Sequence, residues 1–266
     1  MQLIAHAGGI LPALGSLFDA APPIPTRLWA MLDGLMRSRA LVDEPSQPET
    51  VFLQDPTEGT IFMGGRVTRP LLEQAIATLR GHQEVLVCLW PEDPRLAMLP
   101  GGNTYRGVAI DFSDRSPDVD PGGAGSVPAG FQLVRIDAKL APRIEGFDYY
   151  VKMFGSLELA LQHTIGYCLM QDDQIACESI AGPLTRGVAE MGVETAADFR
   201  GRGLATCTAA CVIRECEALG YRAFWNAAQQ NESSVALARR LGFKTEQPVT
   251  VLAWSVEDTH TPAGND

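Results

Sequence analysis

The segment Phe199-Arg200-Gly201-Arg202-Gly203-Leu204-Ala205 holds the residues best suited to chemistry in this chain. It falls between an apolar run that reads as a strand and a stretch that reads as a helix. Its two glycines permit a tight turn and let a ligand approach the backbone. A helix starting near Gly203 adds free N–H groups and the positive end of its dipole. Such a loop suits an anion, and a phosphate-bearing cofactor in particular. A dinucleotide loop would need GxGxxG directly after a strand, but Thr206 stands at the third glycine and a polar stretch intervenes. A P-loop would need a GK[ST] ending, which is missing. Arg200, Gly203 and Ala205 fit a third form, an Arg-x-x-Gly-x-Ala loop over the pyrophosphate of coenzyme A. A structural turn without a ligand is the plain alternative.

A second segment narrows the choice. Asn231-Glu232-Ser233-Ser234-Val235-Ala236-Leu237-Ala238-Arg239-Arg240-Leu241-Gly242-Phe243 follows the loop. Together the two segments resemble the GNAT superfamily of N-acetyltransferases, whose members pair such a loop with a later Asn-x-x-Ala, an apolar helix and a Leu-Gly-Phe ending. The resemblance covers residues 131–254. The layout is similar to that of bacterial two-part members whose N-terminal half is divergent, some with a weak second copy of the fold.

The resemblance implies acetyl-CoA as cofactor and an amine, on a small molecule or a peptide, as acceptor. The pantetheine arm would lie in a notch between two splayed strands, at 188–195 and 222–226. Val193, Glu194 and Thr195 would offer main-chain groups to it. Arg200, Gly201, Arg202, Gly203, Leu204, Ala205 and Thr206 would wrap the pyrophosphate. Asn231 and Ser234 would border the cleft, and Asn231 also suits a helix cap. The amine must lose a proton before it attacks a thioester. Glu190, on the strand before the loop, is the first candidate base and Glu178 the second; solvated or arginine-paired carboxylates are the bland reading of both. Where many relatives carry a tyrosine, four residues before the glycine of Leu-Gly-Phe, this chain has Ala238. Tyr221, Tyr167, Tyr149 or a water could protonate the leaving thiolate instead. An inactive acyl-CoA sensor and a dinucleotide-dependent enzyme are the competing functions.

These residues need a framework. Apolar runs at 165–170 and 175–180 flank Gln171-Asp172-Asp173-Gln174, a hairpin signal. With strands at 131–136 and 188–195 they form a meander. A helix at 203–219 stopped by Gly220, a strand at 222–226, a helix at 233–241 and a strand at 249–254 complete the half. The expected class is α+β, a GNAT-like mixed and mostly antiparallel sheet flanked by helices. A smaller α/β N-terminal domain precedes it at 1–115, a linker follows at 116–130, the acetyltransferase domain spans 131–256, and 257–266 is a loose tail. In the N-terminal half, helices are expected at 24–39 and around Leu71 to Leu79, and strands at 84–90 and 107–112. Gly64-Gly65 and Gly101-Gly102 read as turns.

Composition sets outer bounds. A net charge of −11 argues against nucleic acid as partner. No apolar run reaches the ~18 residues of a membrane span, and no Lys or Arg precedes Arg27 to make a secretory signal. Six cysteines without a CxxC pair fit a reducing cytoplasm and core packing, with no metal site expected. The acceptor's identity, the acyl-chain length and the oligomeric state, a homodimer included, are not written in the sequence.

Overall fold

The computed structural model describes residues 1–5, 14–18, 22–80, 84–111 and 127–255. Most of the expected linker and the expected tail at 257–266 lie outside them. The first half contributes β1 (Gln2–Ala5), α1 (Pro25–Leu32), β2 (Arg39–Val42), β3 (Thr50–Gln54), β4 (Ile61–Gly65), α2 (Arg69–Arg80), β5 (Val85–Leu89) and β6 (Asn103–Asp111). The second contributes β7 (Gln132–Arg135), α3 (Phe147–Phe154), α4 (Leu157–Gln162), β8 (Ile165–Gln171), β9 (Gln174–Thr185), β10 (Val188–Thr195), α5 (Leu204–Ala218), β11 (Arg222–Ala228), α6 (Glu232–Arg240) and β12 (Thr245–Trp254).

Strands β1 to β4 form an antiparallel sheet in chain order. The other eight form one sheet ordered β5-β12-β6-β11-β10-β9-β8-β7, in which only β10 and β11 run parallel. The sheet crosses between the halves of the chain. Strand β6 inserts between β11 and β12, and β5 closes the edge beyond β12. Val108 and Ile110 of β6 join the buried cluster that holds Met191, Trp225, Val212 and Ile213. The packing of α5 and α6 on this sheet therefore depends on both halves.

Local chemistry explains the elements. The hairpin β8–β9 turns on Asp172-Asp173, with Asp172 at φ 52°. The β9–β10 hairpin turns on Arg186 and Gly187, both at positive φ, the geometry that two-residue loops require. The expected helix at 24–39 is cut to Pro25–Leu32, since Asp33 closes it, Gly34 turns at φ 71° and Arg39 already begins a strand. Gly64 and Gly65, expected as a turn, end β4 instead. A Cβ on Gly64 would meet Val51 Cγ1 at 3.0 Å and the Leu17 carbonyl at 3.1 Å. Helices α3 and α4 had no counterpart in the sequence reading. Glycines with positive φ bracket α3 at Gly146 and Gly155, and its aromatic content suits a strand as well as a helix. Among the described residues, no helix is long and apolar enough to cross a membrane.

A fragment of residues 127–255 lacks β5 and β6, which leaves β12 with two open edges and β11 with one. Such edges template aggregation. The fragment is expected to show no cooperative thermal unfolding and to bind an apolar dye, where the full chain melts in a single step. A fragment that unfolds cooperatively would contradict the shared sheet.

Candidate active site

Strand β10 pairs with β11 at Val188, Ala189 and Glu190 and then leaves it. On its other side it stays paired with β9 out to Thr195, across an irregularity between Ala189 and Met191. Main-chain groups of residues 191–195 on the β11 side therefore face a gap. The gap leads to the glycine loop, where Gly201 and Gly203 sit at φ 75° and 77°. No atom lies within 4 Å of the Cβ that either glycine lacks, so backbone conformation and not crowding calls for glycine here.

Helix α5 opens with Gly203 as its N-cap, without a side chain to cap it. Its ladder starts where Cys207 N–H donates to the Gly203 carbonyl at 3.4 Å. Among the described residues, no carbonyl outside the helix accepts from the amides of residues 201–206. Amides left free at a helix mouth are suited to an anion. Residues 201–206 border a cavity of about 670 Å³. Val193, Glu194, Thr195, Arg200, Gly201, Arg202, Gly203, Leu204, Ala205, Thr206, Asn231 and Ser234 all line it. Every residue expected to contact the cofactor thus borders one space.

Sequence reasoning passed over Phe199, Ser233, Ala236, Leu237 and Arg240, which also line the cavity. Ser233, Ala236 or Leu237, and Arg240 recur at helical spacing along α6, a stripe that was available in the sequence. With Arg200 and Arg202, Arg240 gives the cavity three guanidinium groups on a chain of net charge −11. Arg200 Nε donates to the Thr195 carbonyl at 3.0 Å and its Nη2 meets Glu194 at 3.1 Å. That exposed pair is worth at most about 1 kcal/mol, so an anion can compete for the guanidinium. Arg202 stacks over the Phe199 ring at 5.2 Å.

Asn231 caps α6. Its Oδ1 accepts from Ser234 N–H at 3.1 Å and from Ser233 Oγ at 2.9 Å. Ser234 Oγ accepts from Trp225 Nε1 at 3.0 Å. Ala238 is fully buried in the cluster beneath α6. No tyrosine lines the cavity among the described residues. Tyr149 donates its hydroxyl to Glu58 at 2.7 Å, a hydrogen bond with Glu215 holds the Tyr167 phenol above its usual range, and Tyr221 packs beside the cluster under α5.

The two carboxylates stand apart. Glu190 occupies the last position of β10 that pairs with β11 and is buried. Thr26 Oγ1 donates to its Oε2 at 2.9 Å, and Arg27 Nε meets the same oxygen at 3.3 Å. Glu178 sits on β9 directly opposite Glu194. Since Glu194 is four residues beyond Glu190, the candidates are roughly 13 Å apart along the strands. Burial, then the charges of Glu194 and Glu145, push the Glu178 carboxyl up to about 7. Tyr150 faces this region as well. Its hydroxyl lies 3.3 Å from where Gly192 would carry a Cβ, and burial raises its pKa.

The GNAT acetyltransferase family model matches residues 22–252, both halves included, and the chain belongs to this family. Acetyl transfer is the reaction that the family's description names. Over 127 residues the chain is 32% identical to a Bacillus subtilis (strain 168) protein described as the uncharacterized N-acetyltransferase YdfB. That match covers 47% of this chain and 49% of the relative, about half of each. Among solved structures, a GCN5-related N-acetyltransferase-like protein from Streptococcus suis superposes with TM-score 0.68 at 21% identity, covering 91% of this chain and 98% of that one. A tandem GNAT protein from the clavulanic acid biosynthesis pathway superposes with TM-score 0.62 at 15% identity, covering 97% and 99%. At these identities the superpositions establish the fold.

A carboxyl held near pH 7 costs stability once it ionises. The contribution of Glu178 is complete at low pH, where it is protonated in both folded and unfolded chains, and is lost as pH rises through about 7. Glu178→Gln is therefore expected to match the parent Tm near pH 3.5 and to exceed it at pH 8. A Tm difference that does not change with pH would contradict a Glu178 carboxyl raised by burial and its acidic neighbours.

Proposed function

We propose that this chain moves an acetyl group from acetyl-CoA to a primary amine by direct attack on the thioester. The single observation that carries this reading is the row of amides at 201–206 that meet no backbone carbonyl among the described residues, continuous with the free edge of β10. A diphosphate suits those amides and the three arginines. An extended arm suits main-chain groups of Val193, Glu194 and Thr195. The acetyl thioester supplies an activated carbonyl. In the transfer the amine nitrogen bonds to the carbonyl carbon, the carbon–sulfur bond breaks, and the thiolate leaves with a proton from solvent.

Glu190 serves as base, directly or through one water, because it lies where the strands part. Glu178 is the second candidate, with a carboxyl near 7 in its favour and its distance from the last paired residues against it. Amides of the splayed segment stabilise the carbonyl oxygen as charge builds on it. A thiol is far more acidic than an alcohol, so thiolate is a fair leaving group and a dedicated acid at position 238 is dispensable.

The test is release of free thiol from acetyl-CoA over a panel of aminoglycosides, polyamines, amino acids and peptides. Amine-dependent release is expected for at least one class. Binding of acetyl-CoA without release for any amine would favour an inactive acyl-CoA sensor, the reading that Ala238 motivates. Stabilisation by NAD and not by coenzyme A would overturn both. Gly203→Glu fills the open space with a carboxylate and should weaken acetyl-CoA binding by about 100-fold or more, or roughly 3 kcal/mol. Gly203→Ala carries the same backbone strain without the charge and should lose far less. Equal affinities for the folded parent and Gly203→Glu would refute the loop's role.

A further inference from the structure

Arg27 lies in α1, within the half that carries no acetyl-transfer motif, and it is buried. Its Nη1 meets Asp55 Oδ2 at 2.9 Å and Glu58 Oε2 at 2.7 Å. Its Nε reaches across to Glu190 Oε2 at 3.3 Å. Thr26, the residue before it, donates to the same oxygen at 2.9 Å. Every hydrogen bond that the described residues make to the Glu190 carboxylate falls on Oε2. The guanidinium also lies over the Tyr149 ring, 5.8 Å from its centroid.

We propose that Arg27, with Thr26, is a positioning residue for the transfer: it fixes Glu190 by one oxygen at the point where β10 leaves β11. Oε1 is then the oxygen that meets the amine or its water. The proposal rests on Glu190 being the base. Several features favour a positioning role over a plain staple between the halves. The grip is confined to one oxygen of a residue at the mouth of the notch. The gripping group is an arginine, which never gives up its proton and so does not compete for the one the base must take. Asp55 and Glu58 hold the guanidinium from behind, which fixes its plane as well as its charge. Three carboxylates around one guanidinium also leave this cluster net negative, which favours the approach of an ammonium group. The half without catalytic motifs thereby enters the chemistry through a side chain that touches no reacting atom.

The test compares Thr26→Val, Arg27→Lys, Arg27→Gln, Glu190→Gln and the double variant Arg27→Gln/Glu190→Gln in the full chain. Thiol release from acetyl-CoA is followed with the fastest amine of the panel above, or with water if no amine is faster. Arg27→Gln is expected to lower kcat by about 10- to 100-fold, the scale of a misplaced catalytic group. The KM for acetyl-CoA should stay unchanged, and Arg27→Lys should recover part of the loss. The double variant should be no slower than Glu190→Gln alone, because a positioning residue has nothing left to position. Losses that multiply in the double variant, or full kcat in Arg27→Gln beside a crippled Glu190→Gln, would overturn the proposal and leave the base intact. Full kcat in Glu190→Gln would instead remove the base reading itself, and the proposal with it. Should Arg27→Gln fail to fold, Thr26→Val and Arg27→Lys decide: a fall in kcat at constant KM supports the grip, and parental kcat in both overturns it.

Discussion

Between Val188 and Glu190 strand β10 runs parallel to β11, and beyond Glu190 the two part. A strand that loses one neighbour leaves main-chain donors and acceptors without partners, which is costly unless water or a ligand meets them. Here the loss is local, because β9 keeps its grip on β10 out to Thr195. The strand stays ordered while one edge is open. Everything assigned to the site depends on that division. Pairing stops at Glu190, the cavity is lined from Val193 onward, and the glycine loop follows the open segment.

The far side of the fork is held by the other half of the chain. Strand β11 is backed by β6, and β6 by β12, so the notch has a firm wall only because an N-terminal strand fills the sheet. Below the fork, α1 brings Thr26 and Arg27 against Glu190. A buried guanidinium carries a large desolvation penalty. Glu190, Glu58 and Asp55 offset it well enough that the guanidinium is held charged more firmly than usual. The acetyl-transfer motifs all lie in one half, whereas the geometry that makes them a site is supplied by both.

What the sequence made legible was chiefly local. Glycine spacing, the Asn231 cap and the meander of apolar runs depend on neighbours a few residues away, and β10 was read from Val188 to Thr195, the bounds the structure shows. Short aromatic α3, bracketed by glycines, has no periodicity long enough to separate helix from strand. Pairing between β6 and β11 joins residues more than a hundred positions apart, and nothing in either strand's pattern specifies that partner. For the same reason Glu190 was readable as a strand carboxylate, but its contact with Arg27, 163 residues away, was not. The stripe of Ser233, Ala236 and Arg240 was present in the sequence, within a helix that was read without a role for that face.

The central claim is that the amides of the loop receive a diphosphate. Amide resonances followed during titration with acetyl-CoA report on it directly. Gly201, Gly203, Leu204 and Ala205 should shift together and saturate with the same affinity as the protein as a whole. Saturable binding that leaves those amides unmoved and shifts residues elsewhere would contradict the account.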